Sequence, residues 1–229
     1  MEKTTSNRNL ALLGVLGGLV LAMAVCLSLC FEGFSISASG IAAWGRLPVW
    51  RVALSAGLGV LGHLFLLCGL WSGYRIIRTH CHHIRRGLYL FGIGARSTGV
   101  LLHFLLFCFG PLLIRAMGGM ASAAAVKSVT EILLAVGPAA GVCLVLQIFA
   151  VIAVTAALLS GDVHVSRSLA LMNILTVGLV PAGLFILMKD LDYRGVLIAA
   201  AYLGDSLQMF SILGYWRRKG RPDISDGEE

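Results

Sequence analysis

Six polar side chains sit inside runs of residues that are otherwise apolar: His63, Arg96, His103, Tyr202, Asp205 and Gln208. Ionisable groups are costly in apolar surroundings, so they face protein or water and commonly mark a ligand or proton path. Asp205 is the only carboxylate deep in such a run. A histidine at its level can share a proton with it, and the pair then titrates as a unit. His63 lies twelve residues from Arg51, His103 twelve from Arg115 and Asp205 eleven from Arg194. At about 1.5 Å per helical residue these three reach one depth. Arg96, ten residues from Arg86, and Gln208, nine from Arg217, define a second depth. The expectation is two tiers, Asp205 with His63 and His103, and Arg96 with Gln208. Tyr202 shares the stripe of Asp205 and Gln208. Direct pairing of Arg96 with Asp205 requires helix tilt or a long reach.

Plain packing competes with this reading. Polar residues inside membranes also join helices through hydrogen bonds worth about 0.6–2 kcal/mol each. That account suits Gln147, Asn173 and either histidine alone better than it suits Arg96 and Asp205, because charges make poor glue.

Other constellations are weak. In His80-Cys81-His82-His83 only His80 and His83 have ligand-type spacing, and the stretch Arg75–Arg86 reads as a basic loop. Five of the six cysteines lie in apolar runs, where cysteine is a small hydrophobe, and there is no CxxC pair. No HExxH, nucleophile–base motif or paired carboxylates occur. No catalytic residue, metal site or disulfide framework is therefore assigned.

The elements that carry these side chains follow from composition. Of 229 residues 58% are hydrophobic and 13% charged, against roughly a quarter charged in soluble domains. Alternation of apolar and polar residues is missing, which argues against a β-barrel. The fold expected is an all-α integral membrane protein, a single six-helix domain over 1–216 with spans near 10–31, 51–74, 87–115, 131–159, 169–188 and 194–216. The polar tail 217–229 lies outside it. The first run is too long for a signal-peptide core of about 7–15 residues. Gly14 with Gly18, and Gly137 with Gly141, are small-xxx-small pairs that let helices approach. Ala56, Gly59 and His63 share one helical face. So do Gly92, Arg96, Gly99, His103, Phe107 and Gly110, with a kink expected at Pro111. Trp44 and Trp50 suit a headgroup layer.

Eleven basic residues fall on the side of the N-terminus and six on the other. This bias places both termini in the cytoplasm. The net charge of +7 thus sits at the ends of apolar runs, where it sets orientation and meets anionic lipid, not nucleic acid. Three helices plus three would allow an inverted repeat, of which Ala95-Arg96-Ser97 against Gly204-Asp205-Ser206 is a faint echo.

Four functions were open to such a chain. First comes a carrier or binding protein for a small molecule or ion, which would lose function on Asp205→Asn while still folding. Second is a structural or accessory subunit, partnered by another membrane protein or by its own copies. A lipid-acting enzyme comes third; overall a non-enzyme is favoured. Last is a b-type haem protein ligated by His63 and His103; otherwise no cofactor is expected. The bilayer concerned would be a plasma membrane or a bacterial inner membrane.

Overall fold

The computed structural model of the chain describes residues 2–30, 43–116, 123–160 and 194–219. The expected span 169–188, with Asn173 and Pro181, the turn at 161–167 and the tail beyond 219 lie outside the described residues, as do the side chains of Gly137, Gly141 and Gln147. Every described element is helical. Runs rich in Leu, Ala, Val and Gly lack polar side chains to satisfy a backbone, and a helix satisfies its own. The helices are α1 (Glu2–Leu29), α2 (Val49–His80), α3 (His83–Ala116), α4 (Ala123–Leu159) and α5 (Arg194–Lys219). Three of them, α1 from Thr4, α2 and α3, are long and apolar enough to cross a membrane.

The helices outrun the apolar windows. α2 has 32 residues, about 48 Å at 1.5 Å each, against a hydrocarbon core of about 30 Å. The stretch expected to be a basic loop, Arg75–Arg86, is therefore mostly helix: α2 runs through His80, α3 starts at His83, and the break is Cys81 and His82, both extended. The Arg86 Nε–H donates to the Cys81 carbonyl (2.7 Å), and the Cys81 N–H still donates to Ile77. Residues 2–8, which precede the expected first span, form the first turns of α1. In α3 the deformation falls one turn before Pro111, as a π-helical turn over Leu105–Phe109. There the Gly110 N–H reaches back to Leu105. Proline has no N–H to give and its ring crowds the preceding turn, so the ladder widens just ahead of it.

α1 lies between α2 and α5, and glycines set the spacing. A Cβ on Gly14 would stand 2.6 Å from the Gly69 Cα, and one on Gly17 would stand 2.5 Å from the Leu66 nitrogen. One on Gly18 would meet the Tyr202 carbonyl of α5 at 2.6 Å. Hydroxyls then bridge the backbones. Ser55 donates to the Ala24 carbonyl (2.7 Å), Ser72 to Asn7 (2.9 Å) and Ser206 to Val15 (2.9 Å). Such close approach is how helices associate when burial of apolar surface cannot drive them together.

Both ends of the α1–α2 pair are clasped. Arg51 donates from Nε to the Leu27 carbonyl and from Nη2 to Cys30 (2.8 Å), covering acceptors that the end of α1 leaves open. At the other end Arg75 donates to the Asn7 side chain. Three contacts collect the ends of all five helices: Asn7 with Arg75, His80 Nε2 with the Tyr215 hydroxyl (2.8 Å), and Arg85 with Ser160 (3.2 Å). The start of α1, the α2–α3 junction and the C-terminal ends of α4 and α5 thus share one end. It carries Arg8, Arg75, Arg78, Arg85, Arg86, Arg217, Arg218 and Lys219, and is called the basic end below.

Trp44 corrects an expectation. It is buried, its ring edge-on to Phe107 and packed over Gly110, whereas Trp50 is exposed. Of the two, only Trp50 has an exposed ring that could face a headgroup layer. Trp44 instead joins Val25, Leu47, Val52 and Ile114 in an apolar cluster at the opposite end. A second, larger cluster fills the basic half around Leu66, Tyr89, Met209 and Leu213.

Candidate functional site

Tyr202 packs against both apolar clusters, and the polar side chains lie with it between them. Arg96 of α3 donates from Nη2 to Asp205 Oδ2 of α5, and both side chains are nearly out of solvent, 12% and 9% exposed. The Arg96 guanidinium also sits over the Tyr202 ring, 5.3 Å from its centroid, a favourable cation–π position. Tyr202 also meets His63 edge-on, with centroids 6.0 Å apart. His63 in turn meets His103 edge-on at 5.6 Å, and His103 lies on Phe107 at 4.6 Å. Five of the six sequence candidates thus form one row: Asp205, Arg96, Tyr202, His63, His103. Gln208, the sixth, is buried on α5 one turn beyond Asp205, with no contact to the row described.

The tier assignment is corrected. Asp205 pairs with Arg96, not with a histidine, and Arg96 does not belong with Gln208. Counting residues treats helices as upright rods and side chains as points. An arginine stem is long enough to cover a turn of axial offset and bring its head to a partner.

The histidines have an arrangement of their own. His63 and His103 are 1% and 2% exposed, and none of their four ring nitrogens has a hydrogen-bond partner among the described residues. The Ser55 main chain faces His103 without hydrogen-bonding geometry. Each ring lies on a glycine of the other helix. A Cβ on Gly59 would come 2.0 Å from His103 Nε2, and one on Gly99 would come 3.0 Å from His63 Cε1. Gly59 is four residues before His63 and Gly99 four before His103, so glycine and histidine share a face in both helices.

This reciprocity has a signal in the sequence that spacing arguments miss. Gly59-Val60-Leu61-x-His63-x-x-Leu66-x-Cys68 recurs forty residues later as Gly99-Val100-Leu101-x-His103-x-x-Leu106-x-Cys108. Two antiparallel helices carrying one local sequence cross at its centre, so each supplies the notch that the other's ring fills. Self-comparison of the chain at that offset finds it.

The histidines at the α2–α3 junction have separate neighbours. His80 engages Tyr215, whereas His82 and His83 stack on each other with centroids 3.8 Å apart. Among the described residues no group of three or more His, Cys, Asp or Glu could hold a metal ion.

Among the described residues every element is helical, three helices are long and apolar enough to cross a membrane, and a charged row is buried between helices. Residues 1–219 match a family described as Family of unknown function (DUF6796), and the chain belongs to it. Neither a curated protein nor a solved structure matches the chain.

Proposed function

We propose that this is a six-span membrane protein whose polar row binds or carries a small molecule or ion. α4 ends and α5 ends at the same end of the bundle. α5 therefore starts at the opposite end, which supports the reading that a further span lies between Ser160 and Arg194, for which the sequence offers the apolar stretch Leu169–Met188. With the basic end inward, both termini are cytosolic, in a plasma membrane or bacterial inner membrane.

The observation that carries the functional reading is the buried Arg96–Asp205 pair continuing through Tyr202 into two histidines without hydrogen-bond partners among the described residues. Buried polar atoms are normally satisfied, and those that are not require a reason. Helix glue does not supply one here, since glue works by making the hydrogen bonds that these rings lack. A haem between the histidines is not favoured, because each ring is seated on the opposite helix and not on an open slot.

The test is transport into vesicles reconstituted with the purified chain, using a panel of labelled cations, anions and neutral solutes. At least one solute moves with wild type and fails to move with Arg96→Gln/Asp205→Asn, which removes both charges and leaves no unpaired one. If no solute moves while the protein co-purifies with another membrane protein, the reading gives way to an accessory subunit.

A further inference from the structure

We propose that the row takes up a small monovalent anion together with one proton; this rests on the solute-site reading above and names its substrate class. The inference comes from counting donors and charges. Arg96 spends one N–H on Asp205, and a guanidinium has five. Each neutral imidazole has one N–H, and Tyr202 adds a hydroxyl. On the acceptor side stand the Asp205 carboxylate, engaged by Arg96 at Oδ2, one nitrogen of each neutral imidazole and the Tyr202 oxygen. A site whose one carboxylate is paired with an arginine that keeps four further N–H groups has donors in excess and suits a negative ligand, as arginine forks do elsewhere.

Net charge makes the same choice. Arg96 and Asp205 cancel, so with both imidazoles neutral the row carries none. An anion entering alone leaves one uncompensated charge in a low-dielectric layer, and so does a cation entering alone. An anion arriving with a proton on one imidazole leaves zero. A cation could be neutralised only by displacing Arg96 from Asp205, which strands the guanidinium. A coordinated metal ion is not served either, since the described residues hold no three-ligand group.

The groups around the imidazoles fit this exchange. His63 faces Arg96 and His103 of α3 and Tyr202 of α5. His103 faces His63 and the Ser55 main chain of α2, and Phe107 of its own helix. α1 brings Gly17 and Gly18 to the neighbouring turns, and α4 meets α3 at Gly92 through Ala150. Among the described residues no second carboxylate stands beside the histidines to hold the proton in the absence of the anion, so proton and anion enter and leave as a unit.

The experiment uses full-length protein in vesicles with chloride, nitrate and lactate as probe anions, rubidium as cation and urea as neutral solute. A trapped pH dye reads protons. The expected result is anion uptake stimulated by external acid, with one proton entering per anion. His63→Gln/His103→Gln loses the acid stimulation, and Arg96→Gln/Asp205→Asn loses uptake. Gly57→Ala, at a position open to its surroundings, changes neither. Uptake of rubidium or urea in place of any anion overturns the anion assignment and leaves the solute site standing. Anion uptake without proton entry, or unchanged in the double histidine variant, overturns the coupling. Uptake of no solute at all overturns both this inference and the reading beneath it.

Discussion

A glycine and a histidine on facing helices decide how closely α2 and α3 approach. At Gly59 an added methyl would lie 2.0 Å from His103 Nε2. The His103 ring cannot yield easily, because His63 and Phe107 hold its faces and edges. Gly59→Ala is therefore expected to destabilise by about 1–3 kcal/mol, the usual cost of overpacking. Gly57→Ala, two residues away with nothing within 4 Å, should be neutral or stabilising by up to about 1 kcal/mol, as alanine replaces glycine in a helix. Denaturation of the two variants in one detergent gives the comparison; equal midpoints would show that the ring does not sit in that notch. The ion pair calls for a second comparison at this scale. From the sequence, Asp205→Asn appears a clean probe that spares folding. With Arg96 bound to Asp205, it leaves a buried guanidinium unpaired, a loss of about 3–5 kcal/mol. Arg96→Gln/Asp205→Asn should recover most of that loss in the same unfolding assay. If the single variant proves as stable as wild type, the pair contributes nothing to the fold.

Between elements, the α1–α2 seam is set by backbone meeting backbone. Gly14 and Gly69 face each other so closely that a Cβ on either would come within 2.6 Å of the other's Cα. Main chain has no rotamer to change, so Gly14→Ala must push the helices apart and stretch the Ser55, Ser72 and Arg51 contacts that bridge them. It should cost more than Gly59→Ala, and protease digestion in detergent should cut the α1–α2 connection sooner. Part of the helix packing was legible beforehand: Gly14 and Gly18 were readable as an approach face, which meets α2 at Gly14 and α5 at Gly18, and Gly59 as the small half of a packing face, which meets α3. The ends of the helices were not. Apolar windows mark the stretch that avoids water, whereas a helix continues as long as its backbone bonds do, and α2 carries Arg75, Arg78 and Thr79 in regular helix. The clasps by Arg51 and Asn7 were invisible because nothing local marks an arginine that reaches a carbonyl more than twenty residues away. The site shows the same division. Which residues were unusual could be read from their surroundings; which of them touch depended on reach and tilt, which a residue count does not contain.

For the molecule as a whole, orientation is the property that the helix ends make testable. Contacts from Asn7, His80 and Arg85 gather four chain segments at the basic end, with eight arginines and lysines among them. The opposite end, where Arg51 closes α1 and α5 starts, holds Arg46, Arg51, Arg115, Lys127 and Arg194 among its described residues. Short basic segments are retained on the cytosolic side during insertion, and anionic lipid there holds them afterwards at about 1 kcal/mol per charge. Two exposed positions separate the faces: Arg46 at the opposite end and Arg78 at the basic end. In a chain whose native cysteines are changed to alanine, Arg46→Cys should react with a membrane-impermeant maleimide on intact cells. Arg78→Cys should react only after permeabilisation. Reversal of that pattern would invert the molecule and move its cations to the outside. Reaction of both positions on intact cells would mean that the two ends do not lie on opposite sides of a bilayer. The polar row would then have no gradient across which to work.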